Sequence, residues 1–442
     1  MPSIQPFRFL HTGDLHLDSP FEGVSSDAPA EVLQLLRWAT TEAWRNVVRT
    51  AIREAVDFVV VAGDVFEHRS PTLLGQTRFR DGLAELATSG IDSFMVHGNH
   101  DPLDGRSWAP SLQFPARAHR FGTDAVESIP VTRDGIEIAR VYGLSYDRPA
   151  VTANLAAGFR RESDAPFAIG LLHANVGDLP GHGNYAPCSV DDLRRSGMDY
   201  WALGHIHKPG VLLAGDPLAI YCGIPQGRDP GETGARGCYV VDVPASAKPS
   251  ARFVACDVVR WQPLDVPIDG LADDEALQRR VREALAEAFE GADRRSLVVR
   301  LRLTGRGPLH THLRRPGYLA DLRQLLNEEI SAAPPLLWVE SLRDATQPAV
   351  DLDARRGAPD FVGDFLRVAD AARRAERTTD PDEHARWLAT LRAATAPLFD
   401  ESQRGRRILR DARPSDERLF GELLDEAQAL GVDLLLAAEE ER

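Results

Sequence analysis

The sequence predicts an α/β fold, on the basis of three observations. Short apolar runs rich in β-branched and aromatic residues recur from residue 7 to about residue 240, and they are too short for helices but typical of buried strands. Helical stretches separate several of these runs; within residues 37–55, apolar side chains recur near helical spacing at Trp44, Val47, Val48 and Ile52. Each run is followed at once by a cluster of Asp, His or Asn, which predicts polar residues where strands end.

Five predicted strands end in this way. In chain order, the strands and the clusters that follow them are residues 7–10 with His11–His16, 58–62 with Gly63–Asp64, 93–96 with His97–Asp101, 167–172 with His173, and 200–203 with Gly204–His207. Because open α/β sheets place their ligands beyond the carboxyl ends of the strands, all five clusters are expected to converge at one edge.

The residue types in these clusters suit paired divalent metals. Asp, Asn and His offer oxygen and nitrogen ligands of the kind that manganese, iron or zinc accepts, and none of the clusters contains a cysteine. In extended backbone, residues two apart point the same way, so Asp14 and His16 can reach one ion, as can His205 and His207. A carboxylate such as Asp64 can bridge two ions, which together activate water and clamp a phosphoester. One such residue after a strand is usually a solvated loop residue, but five clusters in a row favour a metal site.

Composition limits the class of protein. The formal net charge of −15 argues against a general nucleic-acid binder, although bound metals or a partner can supply positive charge. Four widely spaced cysteines without a CxxC pair argue against a zinc knuckle and suit a reducing cytoplasm. No stretch approaches the roughly 20 apolar residues of a membrane helix, and the first residues lack the segments of a secretory signal. We therefore expect a cytoplasmic protein.

These clusters resemble, in their order, the signature of the calcineurin-like metallophosphoesterases. The resembling motifs are Asp14-Leu15-His16, Gly63-Asp64, Gly98-Asn99-His100-Asp101, His173 and Gly204-His205-Ile206-His207, within residues 7–243. The resemblance implies a four-layer sandwich of two mixed β-sheets flanked by helices, with two metal ions at the strand ends. It implies one ion held by Asp14, His16, Asp64 and His207, and a second held by Asp64, Asn99, His173 and His205. It also implies that His100 faces the scissile phosphate and that Asp101 orients His100.

A closer resemblance is to the DNA-repair exonuclease branch, which contains SbcD-like and YhaO-like nuclease subunits. The segments that carry it are residues 14–21, 199–207 and 221–228, followed by 232–234 and 237–239. The phosphatase pattern GDxxDRG is not present after Gly63. Many nucleases of this branch have His or Asp three residues after the bridging Asp, where this chain has Glu67. We expect Glu67 to make a comparable polar contact or to change which nuclease activity remains.

Other residues have two interpretations each. Arg228 could touch a substrate phosphate, but a salt bridge to Glu232 or Asp229 is slightly favoured. Tyr185 could stack on a base or cap the strand edge, with neither favoured. The remaining histidines near the motifs are not expected to bind metal. His11 and His97 are expected to pack in the core or support the ligands, and His182 is expected to be solvated.

The second half of the chain is predicted to hold two further domains. A linker-like stretch at residues 245–250 ends a domain of residues 1–245, and helix and strand patterns then predict a small α/β accessory or cap domain at 250–345. The predicted elements are a helix at 271–290, a strand at 297–303, a helix at 318–330 and a strand at 336–339. Helical patterns at 361–377, 384–396 and 417–440 predict a helical region at 355–442. The resemblance implies that this region docks an SbcC-like or YhaO-associated ATPase. Packing of the helices on their own domain, or dimerisation through them, is an equally favoured interpretation.

The predicted reaction is therefore two-metal-dependent hydrolysis of DNA phosphodiesters, in DNA repair. The predicted metal is manganese, with iron, zinc or magnesium as alternatives. A small-molecule phosphodiesterase or phosphomonoesterase with the same site is the first alternative. A metal-binding scaffold for a repair ATPase is the second, and it has little need of His100. A homodimer is left open.

Overall fold

The computed structural model describes residues 4–24, 28–67, 72–104, 113–177, 183–328 and 335–376, together with single residues and short pieces between 380 and 435. His68, His182, part of the helix predicted at 384–396, most of the helix predicted at 417–440, and the basic run from Arg404 to Arg413 lie outside these residues.

The described chain contains fifteen strands. They are β1 (Phe7–Thr12), β2 (Phe58–Ala62), β3 (Asp92–Val96), β4 (Ala118–Arg120), β5 (Glu127–Arg133), β6 (Ile136–Gly143), β7 (Ala168–His173), β8 (Tyr200–Gly204), β9 (Gly210–Leu213), β10 (Leu218–Tyr221), β11 (Gly237–Val243), β12 (Ser250–Ala255), β13 (Val259–Pro267), β14 (Ser296–Thr304) and β15 (Leu337–Asp344). The five strands predicted to end at polar clusters are all present, as β1, β2, β3, β7 and β8.

Twelve of these strands form two mixed six-stranded sheets. The first sheet has the order β12-β11-β1-β2-β3-β4, in which β1 to β4 are parallel and β11 runs antiparallel to both β1 and β12. The second has the order β5-β6-β7-β8-β10-β9, in which β6, β7, β8 and β10 are parallel. Because the central strands of each sheet are parallel, their carboxyl ends meet at one edge of that sheet.

Helices cover the outer faces of the two sheets. They are α1 (Ala30–Arg53), α2 (Leu73–Thr88) and α3 (Val190–Arg195), with a 3-10 turn at Leu155–Gly158. Alternation along β2 explains the layering, since side chains two apart point to the same face. Phe58, Val60 and Ala62 lie in the core between the sheets, whereas Val59 and Val61 pack in the core that includes α1 and α2. A third core, with Trp201 and Leu193, lies on the outer face of the second sheet. The predicted sandwich of two mixed sheets flanked by helices is confirmed.

Helix α1 begins seven residues earlier than the helix predicted at 37–55. It starts directly after Pro29, at Ala30. Its first turns contribute Val32 and Leu36 to a buried cluster that includes Trp261 and Trp338. Those tryptophans are more than 200 residues away in the chain, so the local pattern gave no sign that these turns would be covered.

Gly82 on α2 gives a prediction about stability. A Cβ at this position would overlap the buried indole of Trp44, with Cε2 only 2.7 Å away. Alanine is favoured over glycine in a helix by about 1 kcal/mol, but overpacking a filled core costs about 1–3 kcal/mol. We expect Gly82→Ala to lower the free energy of unfolding by up to about 2 kcal/mol in urea denaturation, which is the cost of overpacking minus the gain in helix propensity. Gly291→Ala is the control, because its Cβ would meet no atom within 4 Å; equal gains in both variants would contradict the expectation.

Between residues 256 and 376 the described chain contains a third sheet and five helices, and short helical pieces follow. The sheet has the order β13-β14-β15, and the helices are α4 (Asp274–Gly291), α5 (His310–Leu313), α6 (Tyr318–Glu328), α7 (Leu352–Arg356) and α8 (Phe361–Glu376). The elements predicted at 271–290, 297–303, 318–330, 336–339 and 361–377 are thus present, with shifted ends. Among the described residues, none of the helices has the length and hydropathy of a membrane span.

The chain divides into two compact units. One unit holds residues 1–264, 285–300 and 326–341, and the other holds 265–284, 301–325 and 342–442. The first sheet continues to Ala255, since β12 pairs with β11. The domain boundaries near 245–250 and 345–355 stay predictions.

Candidate dimetal centre

All seven predicted ligand residues come together at the carboxyl ends of β1, β2, β3, β7 and β8. Contacts across the two sheets bring them there. His16 Nε2 lies 3.1 Å from His207 Nε2, His173 Nε2 lies 3.2 Å from Asp64 Oδ2, and the backbone NH of His205 donates to Asp14 Oδ1 at 3.0 Å. All of these residues belong to the first compact unit.

Strained backbone marks the same residues. Asp14, His16, Asp64 and His205 have positive φ values of 47°, 42°, 48° and 95°. Such conformations cost about 1–3 kcal/mol each for residues other than glycine, and they cluster at functional sites. Two glycines allow the close approach, because a Cβ on Gly98 would overlap the Asp64 carboxylate and one on Gly204 would overlap the carbonyl of Ala62. The rest of the fold therefore holds a strained backbone in place where these side chains meet.

The first candidate metal position is formed by Asp14, His16 and His207. One ligand atom from each lies within 4.8 Å of the others. Burial lowers the pKa of His16 to about 3, and the charge of Arg228 adds to this effect. The ring of His16 is therefore neutral, which is the form that ligates a metal.

The second candidate position lies beside Asp64. Its Oδ2 lies 3.2 Å from His173 Nε2, which is 3.0 Å from Asn99 Oδ1. The ring of His205 packs 5.2 Å from that of His173, and its Nε2 lies 2.8 Å from the carbonyl of Gly183, so Nδ1 is the nitrogen that would ligate a metal. Asp14, Asp64 and His173 also form a group with ligand atoms within 4.8 Å. Asp64 thus stands between the two positions, where a bridging carboxylate is expected.

The donor set fits divalent cations. Asp14 and Asp64 are almost fully buried, at 0% and 1% exposure. Charged groups buried in this way require hydrogen bonds, partners or a metal. Burial raises the pKa of Asp14 to about 6. Burial lowers the pKa of His173, but the carboxylates of Asp64 and Asp14 outweigh it and raise that pKa to about 9. Protons therefore offset the buried charge when no cation is bound, and cations would displace them.

His100 lies at the rim of the pocket. Its side chain is 36% exposed, its ring is 5.1 Å from that of His16, and its backbone NH donates to Asp64 Oδ1 at 2.9 Å. Burial lowers the pKa of His100, but the hydrogen bond with Glu67 and the charges of Asp64 and Glu67 outweigh this and raise the pKa to about 9. The ring is therefore mainly protonated at neutral pH.

The contact to His100 that we predicted for Asp101 is made instead by Glu67. Glu67 Oε1 lies 3.1 Å from His100 Nδ1. The carboxylate of Asp101 accepts hydrogen bonds from the backbone NH groups of Val65 and Gly98, both at 2.9 Å, and lies 3.2 Å from His97 Nδ1. Asp101 therefore stabilises the loop that carries Asn99 and His100. The reason is local geometry: the chain turns after Gly98, so the carboxylate points back at its own loop.

Glu67 also contacts the first metal position. Its Oε2 lies 2.7 Å from His16 Nδ1 and 2.6 Å from Arg228 Nη1. Burial raises the pKa of Glu67, but the hydrogen bonds with His100 and His16 and the charge of Arg228 hold it well below its usual value. Glu67 is therefore a carboxylate that links two histidines and one arginine.

Arg228 is held by an ion pair within the site, whereas Tyr185 packs against one of the site's histidines. The Arg228 side chain is 11% exposed and pairs with Glu67 and Ser19 rather than with Glu232 or Asp229. Its backbone NH donates to Glu232 Oε2 at 2.7 Å. The ring of Tyr185 is half-buried and packs edge-on, 5.7 Å from the ring of His205. Tyr185 thus lies beside a candidate metal ligand, and a contact with substrate stays a prediction.

Two predicted supporting histidines are buried. His11 Nδ1 lies 3.0 Å from the Tyr200 hydroxyl, and burial lowers the pKa of His11 to about 3. His97 contacts Asp101 as described above. Both roles are those of packing residues beneath the site.

Sequence reasoning missed the role of Glu232. Its Oε1 lies 2.5 Å from His207 Nδ1, and its side chain is 14% exposed. Burial raises the pKa of Glu232, but the hydrogen bond with His207 outweighs it and lowers the pKa to about 2. The residue stands 25 positions after His207, in a turn between β10 and β11. No local pattern links residues at that distance, so only the folded chain reveals the contact.

Comparisons with known proteins agree with this geometry. Residues 7–209 match the calcineurin-like phosphoesterase family, and residues 261–347 match the middle domain of the metallophosphoesterase YhaO. The chain is 36% identical over 344 residues to the uncharacterized metallophosphoesterase YhaO of Bacillus subtilis, covering 78% of this chain and 83% of that protein.

Two more distant relatives have names that refer to DNA breaks or to a nuclease. The DNA double-strand break repair protein Mre11 of Haloferax volcanii is 26% identical over 308 residues, which cover 68% of this chain and 62% of that protein. The SbcD component of the nuclease SbcCD of Bacillus subtilis is 25% identical over 283 residues, which cover 53% of this chain and 66% of that protein.

The calcineurin-like family uses a dimetal site, and this chain brings a matching set of carboxylates, imidazoles and an amide to one pocket. The match to YhaO extends along most of both chains. The chain belongs to the calcineurin-like metallophosphoesterases, a family of phosphoester hydrolases, and within them to the YhaO family.

Proposed function

We propose that this chain is a two-metal-dependent nuclease that hydrolyses phosphodiester bonds in DNA. The observation that carries this proposal is the pocket with two candidate metal positions and the partly exposed ring of His100 at its rim. The relatives named for DNA double-strand break repair and for nuclease activity support DNA as the substrate.

Seven residues of the pocket would bind the cations, and His100 would transfer a proton. Asp14, His16, Asp64 and His207 would hold one cation, and Asp64, Asn99, His173 and His205 the other. Two bound divalent cations, of which Mn²⁺ is expected, supply a nucleophile from water and neutralise phosphoester charge.

His100 is placed to handle the leaving group. Because Nδ1 lies against Glu67, Nε2 is left to face a substrate. A protonated imidazole at this place can donate a proton to the leaving oxygen. Its raised pKa keeps that proton available at neutral pH.

The substrate class is tested by comparing polymers with small phosphoesters. Metal-free protein would be supplied with MnCl₂ and given end-labelled single- and double-stranded DNA, a cyclic nucleotide, and bis-p-nitrophenyl phosphate. We expect shortening of labelled DNA that stops when EDTA is added. Fast hydrolysis of the dye or the cyclic nucleotide with intact DNA would overturn the nuclease proposal in favour of a small-molecule phosphodiesterase. Two bound Mn²⁺ ions without hydrolysis of any substrate would favour the scaffold alternative.

Glu67→Ala is expected to slow hydrolysis about tenfold to a hundredfold while Mn²⁺, supplied in excess, still binds, since supporting residues of metal sites contribute on this scale. The ring of His100 would lose the carboxylate that fixes its orientation, and His16 would lose its partner at 2.7 Å. Steady-state rates on single- and double-stranded DNA would measure the effect. Kinetics equal to the wild type on every DNA substrate would remove Glu67 from the site.

Partners and location stay predictions. An SbcC-like or YhaO-associated ATPase is expected from the family resemblance, and most of the last helix predicted to dock it, at 417–440, lies outside the described residues. The cytoplasmic location and a homodimer are expectations of the same kind.

A further inference from the structure

The two histidines of the first metal position are each backed by a carboxylate. His16 Nδ1 lies 2.7 Å from Glu67 Oε2, and His207 Nδ1 lies 2.5 Å from Glu232 Oε1. In both rings the opposite nitrogen, Nε2, faces the pocket, and these two nitrogens are 3.1 Å apart. Each carboxylate therefore lies behind its ring, as an ion-pair contact at His16 and as a hydrogen bond at His207, with Nε2 on the opposite side.

The histidines of the second position are backed by backbone carbonyls. His173 Nδ1 donates to the carbonyl of Ala62 at 2.9 Å, and His205 Nε2 donates to that of Gly183 at 2.8 Å. A carbonyl is a neutral acceptor, whereas a carboxylate carries charge and makes a stronger hydrogen bond. The two positions thus differ in the groups behind their ligands, although both contain two histidines.

The segment between β10 and β11, residues 222–236, holds both carboxylates in place. The segment between β10 and β11 contains Glu232, whose Oε2 accepts hydrogen bonds from the backbone NH groups of Arg228 and Asp229 at 2.7 and 3.3 Å. Arg228, in the same segment, forms a salt bridge with Glu67, with 2.6 Å between Nη1 and Oε2. Arg236 in the same segment donates to the carbonyl of His207 at 2.7 Å. Both carboxylates are therefore held by one structural unit, and each is fixed by several partners at once.

We propose that Glu67 and Glu232 make the position of His16 and His207 the tighter of two unequal metal positions. A carboxylate behind an imidazole raises the basicity of the ligating nitrogen and holds the ring in place, and removing such a partner typically lowers metal affinity about 10–100-fold. The inference rests on the proposed dimetal site but not on DNA as its substrate. It assigns to Glu67 and Glu232 the role of positioning residues that set the order of metal binding.

Glu232 gives the cleaner test, because Glu67 also contacts His100. Mn²⁺ would be titrated into metal-free full-length protein by isothermal titration calorimetry. The wild type is expected to bind two ions with different affinities. Glu232→Gln keeps the size of the side chain but removes its charge, and it is expected to weaken the tighter step about 10–100-fold and to leave the weaker step unchanged. An unchanged weaker step also shows that the variant is folded.

Two further variants show whether the effect comes from the contact between Glu232 and His207 or from the negative charge of the segment. Asp229→Asn removes a charge from the same turn, where Asp229 accepts from the backbone NH of Gly231 and not from a histidine; it is expected to titrate like the wild type. Glu232→Asp keeps the charge and is expected to restore part of the tighter step.

The outcomes distinguish this inference from the proposed function. A tighter step in Glu232→Gln within twofold of the wild type would overturn the role of Glu232. Equal weakening in Asp229→Asn would assign the effect to the charge of the turn and would overturn it too. A wild type that binds fewer than two Mn²⁺ ions would overturn the dimetal site itself.

Discussion

Asp64→Asn is expected to abolish hydrolysis and to remove at least one bound Mn²⁺ ion. Asp64 Oδ1 accepts the backbone NH of His100 at 2.9 Å, and Oδ2 lies 3.2 Å from His173 Nε2. One of its oxygens also lies within 4.8 Å of ligand atoms of Asp14, from the first position, and His173, from the second. Asparagine keeps one oxygen but loses the negative charge. The NH₂ group that replaces the second oxygen cannot ligate a cation. Since bound metals contribute several kcal/mol to catalysis, activity is expected to fall on the order of a thousandfold or more.

The measurement pairs metal content with rate. Mn²⁺ stoichiometry by calorimetry and cleavage of end-labelled DNA, or of whichever phosphoester the wild type hydrolyses, would be followed in the same preparations. Asp242→Asn is the matched control, because this carboxylate on β11 is 41% exposed and pairs with Arg8. Two tightly bound Mn²⁺ ions and normal activity in Asp64→Asn would show that Asp64 does not bridge metals.

His100→Ala is expected to lower kcat about 10²–10⁴-fold, which is the usual contribution of a positioned acid or base. Its pKa is raised to about 9, so the wild-type rate that depends on this proton is expected to fall as pH rises through that value. The variant is expected to lose this alkaline limb. Binding of both Mn²⁺ ions is expected to remain, since the ring of His100 is not among the seven proposed ligands.

A histidine of the second compact unit supplies the control. His312 is 44% exposed and lies beside Asp274, so His312→Ala is expected to keep the wild-type rate and pH profile. If His100→Ala instead lost metal and activity together, the residue would act by holding the pocket. A full rate with both metals bound would exclude His100 from the chemistry.

Much of the framework of this site could be predicted from the sequence. Apolar runs such as Phe58–Ala62 are too short for helices, so they predict strands, and the polar residue after each strand must lie at its carboxyl end. Parallel strands place those ends together. The proximity of Asp14 and Asp64 follows from this rule, because β1 and β2 are neighbours in one sheet. His173 belongs to the second sheet, so its approach depends on the packing of the two sheets.

The supporting contacts were not predictable in the same way. Glu67 and Arg228 are 161 residues apart, and Glu232 reaches His207 from a turn with no periodic pattern. The family resemblance implies that Asp101 orients His100, but the turn after Gly98 directs the Asp101 carboxylate to backbone NH groups. Such contacts depend on loop conformation, which hydrophobic periodicity does not encode.

The amino-acid pattern alone predicts the α/β class and the group of residues that could bind metals, because strand patterning and strand-end position are local properties. The arrangement in two mixed sheets was implied by the family resemblance. Only the tertiary structure decided which side chains back those residues, and hence how the two metal positions differ. Hydrogen bonds such as that between Glu232 and His207 form between segments that are adjacent only after the sheets pair and the turns close.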